Sequence, residues 1–75
     1  MTFEMTPVVS SNITAVGHDP LTSTLRIQFN SGVSYDYQNV PSTLHNNLIT
    51  ADSIGSFFSK QIKSNPTAYP FTKVL

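Results

Sequence analysis

Seventy-five residues suffice for one small domain and not for two. Four Lys and Arg balance four Asp and Glu, so the basic excess of a protein that grips nucleic acid mainly through phosphates is absent. With no cysteine there is no disulfide framework and no thiolate metal site, and no apolar run approaches the ~18 residues of a membrane span, so a cytoplasmic protein without membrane contact is expected.

Residues 1–9 read as a flexible lead-in, with Pro7 discouraging helix before it, and residues 10–75 as a single domain. The lead-in lacks the basic start and apolar stretch of a signal peptide. Three strand-like runs follow: Asn12 to His18, Thr24 to Asn30 and Val33 to Gln38. In the second run Leu25, Ile27 and Phe29 alternate with Arg26, Gln28 and Asn30, and in the third Val33, Tyr35 and Tyr37 alternate with polar residues. A three-residue Asn30-Ser31-Gly32 loop, with Gly32 left-handed, pairs Phe29 with Val33, Ile27 with Tyr35 and Leu25 with Tyr37. A two-residue loop would break both patterns, because a one-residue slip flips every side chain. A five-residue loop from Asp19 to Ser23 would add Ile13, Ala15 and Gly17 to the apolar face. Thr14, Val16 and His18 then join Arg26, Gln28, Ser34 and Asp36 on the other, mostly polar face.

The apolar face needs a cover, and the next segment supplies it. Pro41 suits the first position of a helix, and Leu44, Leu48 and Ala51, with Ile49 beside them, repeat at helical spacing. That helix is expected to end near Ala51 or Asp52. Ser53 can cap a second short helix whose apolar side is Ile54, Phe57, Phe58 and Ile62. Gly55 stands in its first turn, where a large residue would meet a neighbouring backbone. Ser64-Asn65-Pro66 stops the helix. The tail from Tyr69 to Leu75 is too apolar to float and is expected to pack along the domain, with an edge strand as one form of that packing. The fold class is therefore α+β: a three-stranded antiparallel meander covered on one face by two short helices. The expected core includes Ile13, Ile27, Phe29, Tyr35, Leu48 and Phe58. Hydrophobic residues are only 39% of the chain, so the core is thin and self-association would add buried surface.

Chemistry-bearing patterns are few. The glycines are isolated, so no phosphate-cradling loop is present, and His18 and His45 stand 27 residues apart, without zinc-ligand spacing. No catalytic residue, metal or cofactor is expected. The two tyrosines could stack on bases from an open sheet, but alternation turns Tyr35 and Tyr37 toward the covered face. Tyr37, nearer the strand end, is expected half-exposed at the rim between sheet and helices. Arg26 faces Asp36 as a cross-strand pair, Lys60 and Lys63 can form a small basic patch with Lys73, and His18 and His45 read as solvent-facing. Tyr37, Arg26, Lys60, Lys63 and His18 are thus the candidate contact residues for a ligand or partner.

The ordered pattern Ser10-Ser11-x-Ile13, Val16-Gly17-x-Asp19, Leu25-x-Ile27-x-Phe29, Gly32, Tyr35-x-Tyr37, Val40-Pro41, Ser53-x-Gly55-x-Phe57-Phe58 and Ile62 resembles the KTSC domain over roughly residues 8 to 75. That small domain stands at the C-terminus of some lysyl-tRNA synthetases and alone in bacteria and phages. Tyr35-Asp36-Tyr37 matches its central Tyr-x-Tyr mark. The chain departs from the pattern at His18, where an aromatic is common, and at Ser59, where Asn is common. The synthetase context implies RNA as one partner.

Two functions follow as expectations. One is a protein-interaction module, stand-alone and of phage or bacterial origin, that binds a host or bacterial protein; neutral charge and short length favour it. The other is an RNA-binding accessory using Tyr37, Lys60, Lys63 and Arg26, and a weaker variant is a small-nucleotide pocket at the Tyr37 rim.

Overall fold

The computed structural model describes residues 5–74. Strands β1 (Thr6–Pro7), β2 (Ile13–Asp19), β3 (Thr24–Phe29) and β4 (Ser34–Tyr37) are followed by helices α1 (Ser42–Ile49) and α2 (Ile54–Phe58). The second helix continues into a π-helical turn, Ser59–Lys63, and the tail forms β5 (Phe71–Lys73). All five strands join one antiparallel sheet in the order β1-β2-β3-β4-β5.

The β3–β4 hairpin follows from alternation alone. Leu25 lies opposite Tyr37, Arg26 opposite Asp36 and Ile27 opposite Tyr35. The Phe29 amide donates to the Val33 carbonyl at 2.9 Å, and Gly32 turns the three-residue loop at φ +90°, a region glycine enters without steric cost.

The sheet has five strands rather than three. The tail adds β5 beside β4, pairing Phe71 with Tyr37 and Lys73 with Tyr35. At the opposite edge Thr6–Pro7, inside the segment read as a lead-in, pairs with Val16 and Ala15. Pro7 does not prevent this, because an edge strand can turn its missing donor outward.

The β2–β3 register also corrects the expectation. Asp19 pairs with Thr24, leaving only residues 20–23 in the loop, and Val16 and His18 lie opposite Ile27 and Leu25 on the covered face. Asp19 Oδ1 accepts from the Leu21 amide at 3.0 Å and Ser23 turns the chain at φ 55°, so the loop closes one residue tighter than five. A β-bulge between Ile13 and Ala15 then restores Ile13 opposite Phe29. Ile13 and Val16 are an odd three positions apart and could not share a face on a regular strand. The inserted residue lets both be buried, at 1% and 0% exposure.

Pro41 is the residue before the first turn of α1 rather than its first member, and Ser53 Oγ accepts from the Ser56 amide as the cap of α2. The π turn closes through a Ser64 amide to Ser59 carbonyl bond, five residues back. In an α-helix every fourth residue drifts about 40° past a full turn. The wider turn cancels part of that drift, so Ile62 stays beneath Phe58 and Ile54, all three buried. The core joins these helices to Ile13, Val16, Leu25, Ile27, Tyr37, Val40 and Leu48, with Phe29 and Tyr35 partly buried against it.

Candidate functional site

The two tyrosines exchange their expected roles. Tyr37 is buried at 4% exposure rather than half-exposed. Its ring meets Phe58 of α2 at 5.2 Å and Phe71 of β5 at 5.6 Å, so strand addition and the helix close the rim on both sides. Burial pushes the Tyr37 phenol above its ordinary ionisation range, and neighbouring Tyr35 adds to the shift. Tyr35 is the ring left partly open. It packs edge-on to Phe29 at 5.9 Å and to Phe71 at 5.7 Å.

Beside Tyr35, at the hairpin end of the sheet, lies an open pocket of about 460 Å³. This falls in the range of ~300–1,000 Å³ usual for small-ligand sites. Phe29, Val33 and Tyr35 form its apolar floor, and Ser11, Asn12, Asn30 and Ser31 form its rim. The rim is held by Asn30. Its amide donates to the Asn12 carbonyl at 3.0 Å, its Nδ2 donates to the Ser11 carbonyl at 2.9 Å, and its Oδ1 accepts from the Thr14 hydroxyl at 2.6 Å. Asn12 Oδ1 in turn accepts from the Ser10 hydroxyl at 3.1 Å.

Gly55 belongs to the same corner. A Cβ at that position would stand 2.6 Å from Asn12 Oδ1 and 3.3 Å from Ser10 Oγ, so it would meet these side chains rather than a neighbouring backbone. Gly55→Ala gains ~0.5–1 kcal/mol of backbone entropy in the helix and displaces Asn12 from Ser10, losing a bond worth ~0.5–1.5 kcal/mol. Stability is expected to change by less than ~1 kcal/mol while the Asn12 carboxamide moves. Urea denaturation and the side-chain amide resonances of Asn12 check this; an unmoved Asn12 signal contradicts it.

His18 and His45 are neither solvent-facing nor apart. The rings stack at 4.8 Å with 11° between their planes, and His18 Nε2 lies 2.7 Å from the Val40 carbonyl. The tighter β2–β3 loop turns His18 inward, and α1 lays His45 on it. Burial, and then the charge of His18, hold the His45 pKa below its ordinary 6.5. The unfolded chain therefore takes up a proton at a higher pH than the folded one, and stability is lost as pH falls below ~6.5 through the lowered native value. Melting temperature is expected to fall between pH 7.5 and pH 5.5, less steeply in His45→Gln. An equal slope in both proteins overturns the assignment.

The remaining candidates do not converge. Arg26 forms a two-pronged ion pair with Asp36, Nε to Oδ1 at 2.7 Å and Nη2 to Oδ2 at 3.0 Å, on the face opposite Tyr37. Side-chain exposures of 27% and 17% mark it as a surface pair, worth ~0.2–1 kcal/mol. Lys60 and Lys63 are exposed on the π turn and Lys73 is exposed on β5. Among the described residues no three His, Cys, Asp or Glu cluster as metal ligands, and no helix is long and apolar enough to cross a membrane. Asn12, Asn30, Ser11 and Ser31 were not singled out from the sequence as site residues. Their signal was the pairing of Ile13 with Phe29, which sets residues 12 and 30 side by side at the strand ends.

The sequence profile of the KTSC domain family matches residues 9–65. A protein of Tsukamurella paurometabola is 39% identical over 59 residues, covering 79% of this chain and 88% of that one. A lysine–tRNA ligase of Nostoc sp. is 43% identical over 53 residues, covering 71% of this chain and 9% of the ligase. The crystal structure of a KTSC domain protein from Yersinia pestis superimposes with a TM-score of 0.87 at 36% identity, covering 99% of this chain and 100% of that chain.

Proposed function

The chain belongs to the KTSC domain family, and from that footing we propose that it is a non-catalytic protein-interaction module that binds a host or bacterial protein. The observation that carries this reading is the pocket at the hairpin end: apolar-floored, rimmed by uncharged polar groups and open to solvent. Such a surface suits recognition of a side chain rather than bond-breaking, because it holds no acid, base or activated nucleophile. The similarity of this unit both to a protein of nearly its own length and to a small part of a ligase fits a module that works by attachment. The exposed ring of Phe71 on β5, at 53% exposure, extends the apolar surface beside Tyr35.

Affinity capture with the tagged chain from bacterial lysate, read by mass spectrometry against Val33→Asp, tests the proposal. Charge placed on the pocket floor is expected to remove one or more captured proteins. Identical capture by both proteins, or none above background, overturns it.

A second reading, RNA binding, is favoured by the ligase similarity and by the exposed Lys60 and Lys63. With so few cations, binding through phosphates is expected to be weak and to vanish steeply with salt. Gel shifts with single-stranded RNA at low ionic strength decide it: a retained complex that Lys60→Glu with Lys63→Glu abolishes supports this reading, and an unshifted RNA removes it.

A further inference from the structure

We infer that the pocket takes a proline-containing, extended peptide segment. The inference rests on the protein-interaction reading and narrows its partner to a chemical class. Four features of the site lead to it.

No residue of the pocket is charged, so nothing there selects an ionic group. Four acceptors of the rim each receive a hydrogen bond from within the chain. The Asn12 and Ser11 carbonyls receive Asn30, Asn30 Oδ1 receives Thr14, and Asn12 Oδ1 receives Ser10. What the rim still presents is the Asn12 Nδ2 amine and the hydroxyls of Ser11 and Ser31. A ligand carbonyl therefore finds unengaged donors there.

A proline segment brings such carbonyls. Proline has no amide hydrogen, and the polyproline II backbone makes no internal hydrogen bonds, so its carbonyls are available to outside donors. The floor suits its rings: Phe29 and Tyr35 meet edge-to-face at 77° beside Val33, an apolar notch of the kind on which pyrrolidine rings pack. The pocket is small and open, so it could not offset the ordering of a flexible chain. A polyproline II segment is ordered beforehand and loses little freedom on binding. A nucleotide fits less well, since its phosphates would find no cation among the pocket residues.

The test is a titration of the isotope-labelled chain with acetyl-tetraproline amide, followed by amide NMR shifts. Saturable shifts are expected at Asn12, Ser31, Val33 and Tyr35. Acetyl-tetraglycine amide, which carries amide donors and no rings, should bind at least about tenfold more weakly, the scale of a lost hydrogen bond or more. Asn12→Asp keeps an oxygen for Ser10 and replaces the amine with a carboxylate oxygen, which repels ligand carbonyls; about tenfold weaker binding is expected. Ser31→Arg, on the exposed loop, crowds the pocket mouth without touching the core and should weaken binding similarly. Absent or scattered shifts with the proline peptide, binding by both variants as tight as that of the wild type, or the same shifts produced by uridine monophosphate in its place overturn the inference. A host protein captured equally by wild type, Asn12→Asp and Ser31→Arg overturns the proline pocket and leaves the interaction module standing. Peptide binding intact with no protein captured overturns the module alone.

Discussion

Phe58→Ala is expected to bring the domain to the edge of unfolding. Phe58 is the largest fully buried side chain, at 1% exposure, and the only ring of α2 in the innermost core. It meets Tyr37 of β4 at 5.2 Å and Phe29 of β3 at 5.8 Å, so it fastens helix to sheet across two strands. Truncating such a ring costs ~3–5 kcal/mol, part from lost burial and part from the cavity left behind. A domain of 75 residues has a total stability of roughly 4–11 kcal/mol at ~0.05–0.15 kcal/mol per residue. At ~4–8 °C per kcal/mol, the melting temperature should fall by at least ~12 °C. Thermal denaturation followed by circular dichroism measures it. A fall of only a few degrees would mean that the helix is not anchored where the structure places it.

The second large effect separates the two tyrosines. Tyr37→Ala is expected to cost ~3–5 kcal/mol, because the ring is enclosed by Phe58, Phe71 and Tyr35. Tyr35→Ala should cost about 1–2 kcal/mol, since its ring is only partly buried and part of it lines the pocket. Binding should show the reverse order: Tyr35→Ala removes part of the pocket floor, whereas Tyr37→Phe leaves it intact. Chemical denaturation of both alanine variants side by side is the measurement. Equal losses, or a larger loss at Tyr35, would place Tyr37 at the rim after all.

Much of the fold can be read from local pattern. The register of β3 on β4 follows from two alternating runs and one glycine, because only the three-residue loop keeps both apolar sets on one side. Ser53 announces the α2 cap, and the spacing of Ile54, Phe58 and Ile62 announces its buried side. The family, too, is legible in the ordered set of short motifs, which the matching profile bears out over residues 9–65. The candidate site is legible only in pieces. Ser10-Ser11, the Asn30-Ser31-Gly32 loop and Gly55 each stand out in the sequence, with no sign that they meet around Asn12.

What the sequence by itself determined is therefore what short-range periodicity controls: strand faces within the hairpin, the cap and buried side of the second helix, and the small neutral domain they build. The tertiary structure alone decided the rest. The tighter β2–β3 pairing turned Val16 and His18 inward, and the bulge opposite β3 reversed the alternation again so that Ile13 stayed inside with them. The arrival of β5 from the far end of the chain buried Tyr37 and left Tyr35 only partly covered. Each of these outcomes depends on a neighbour that is distant in sequence and adjacent in space, and a residue's own local pattern carries no record of that neighbour.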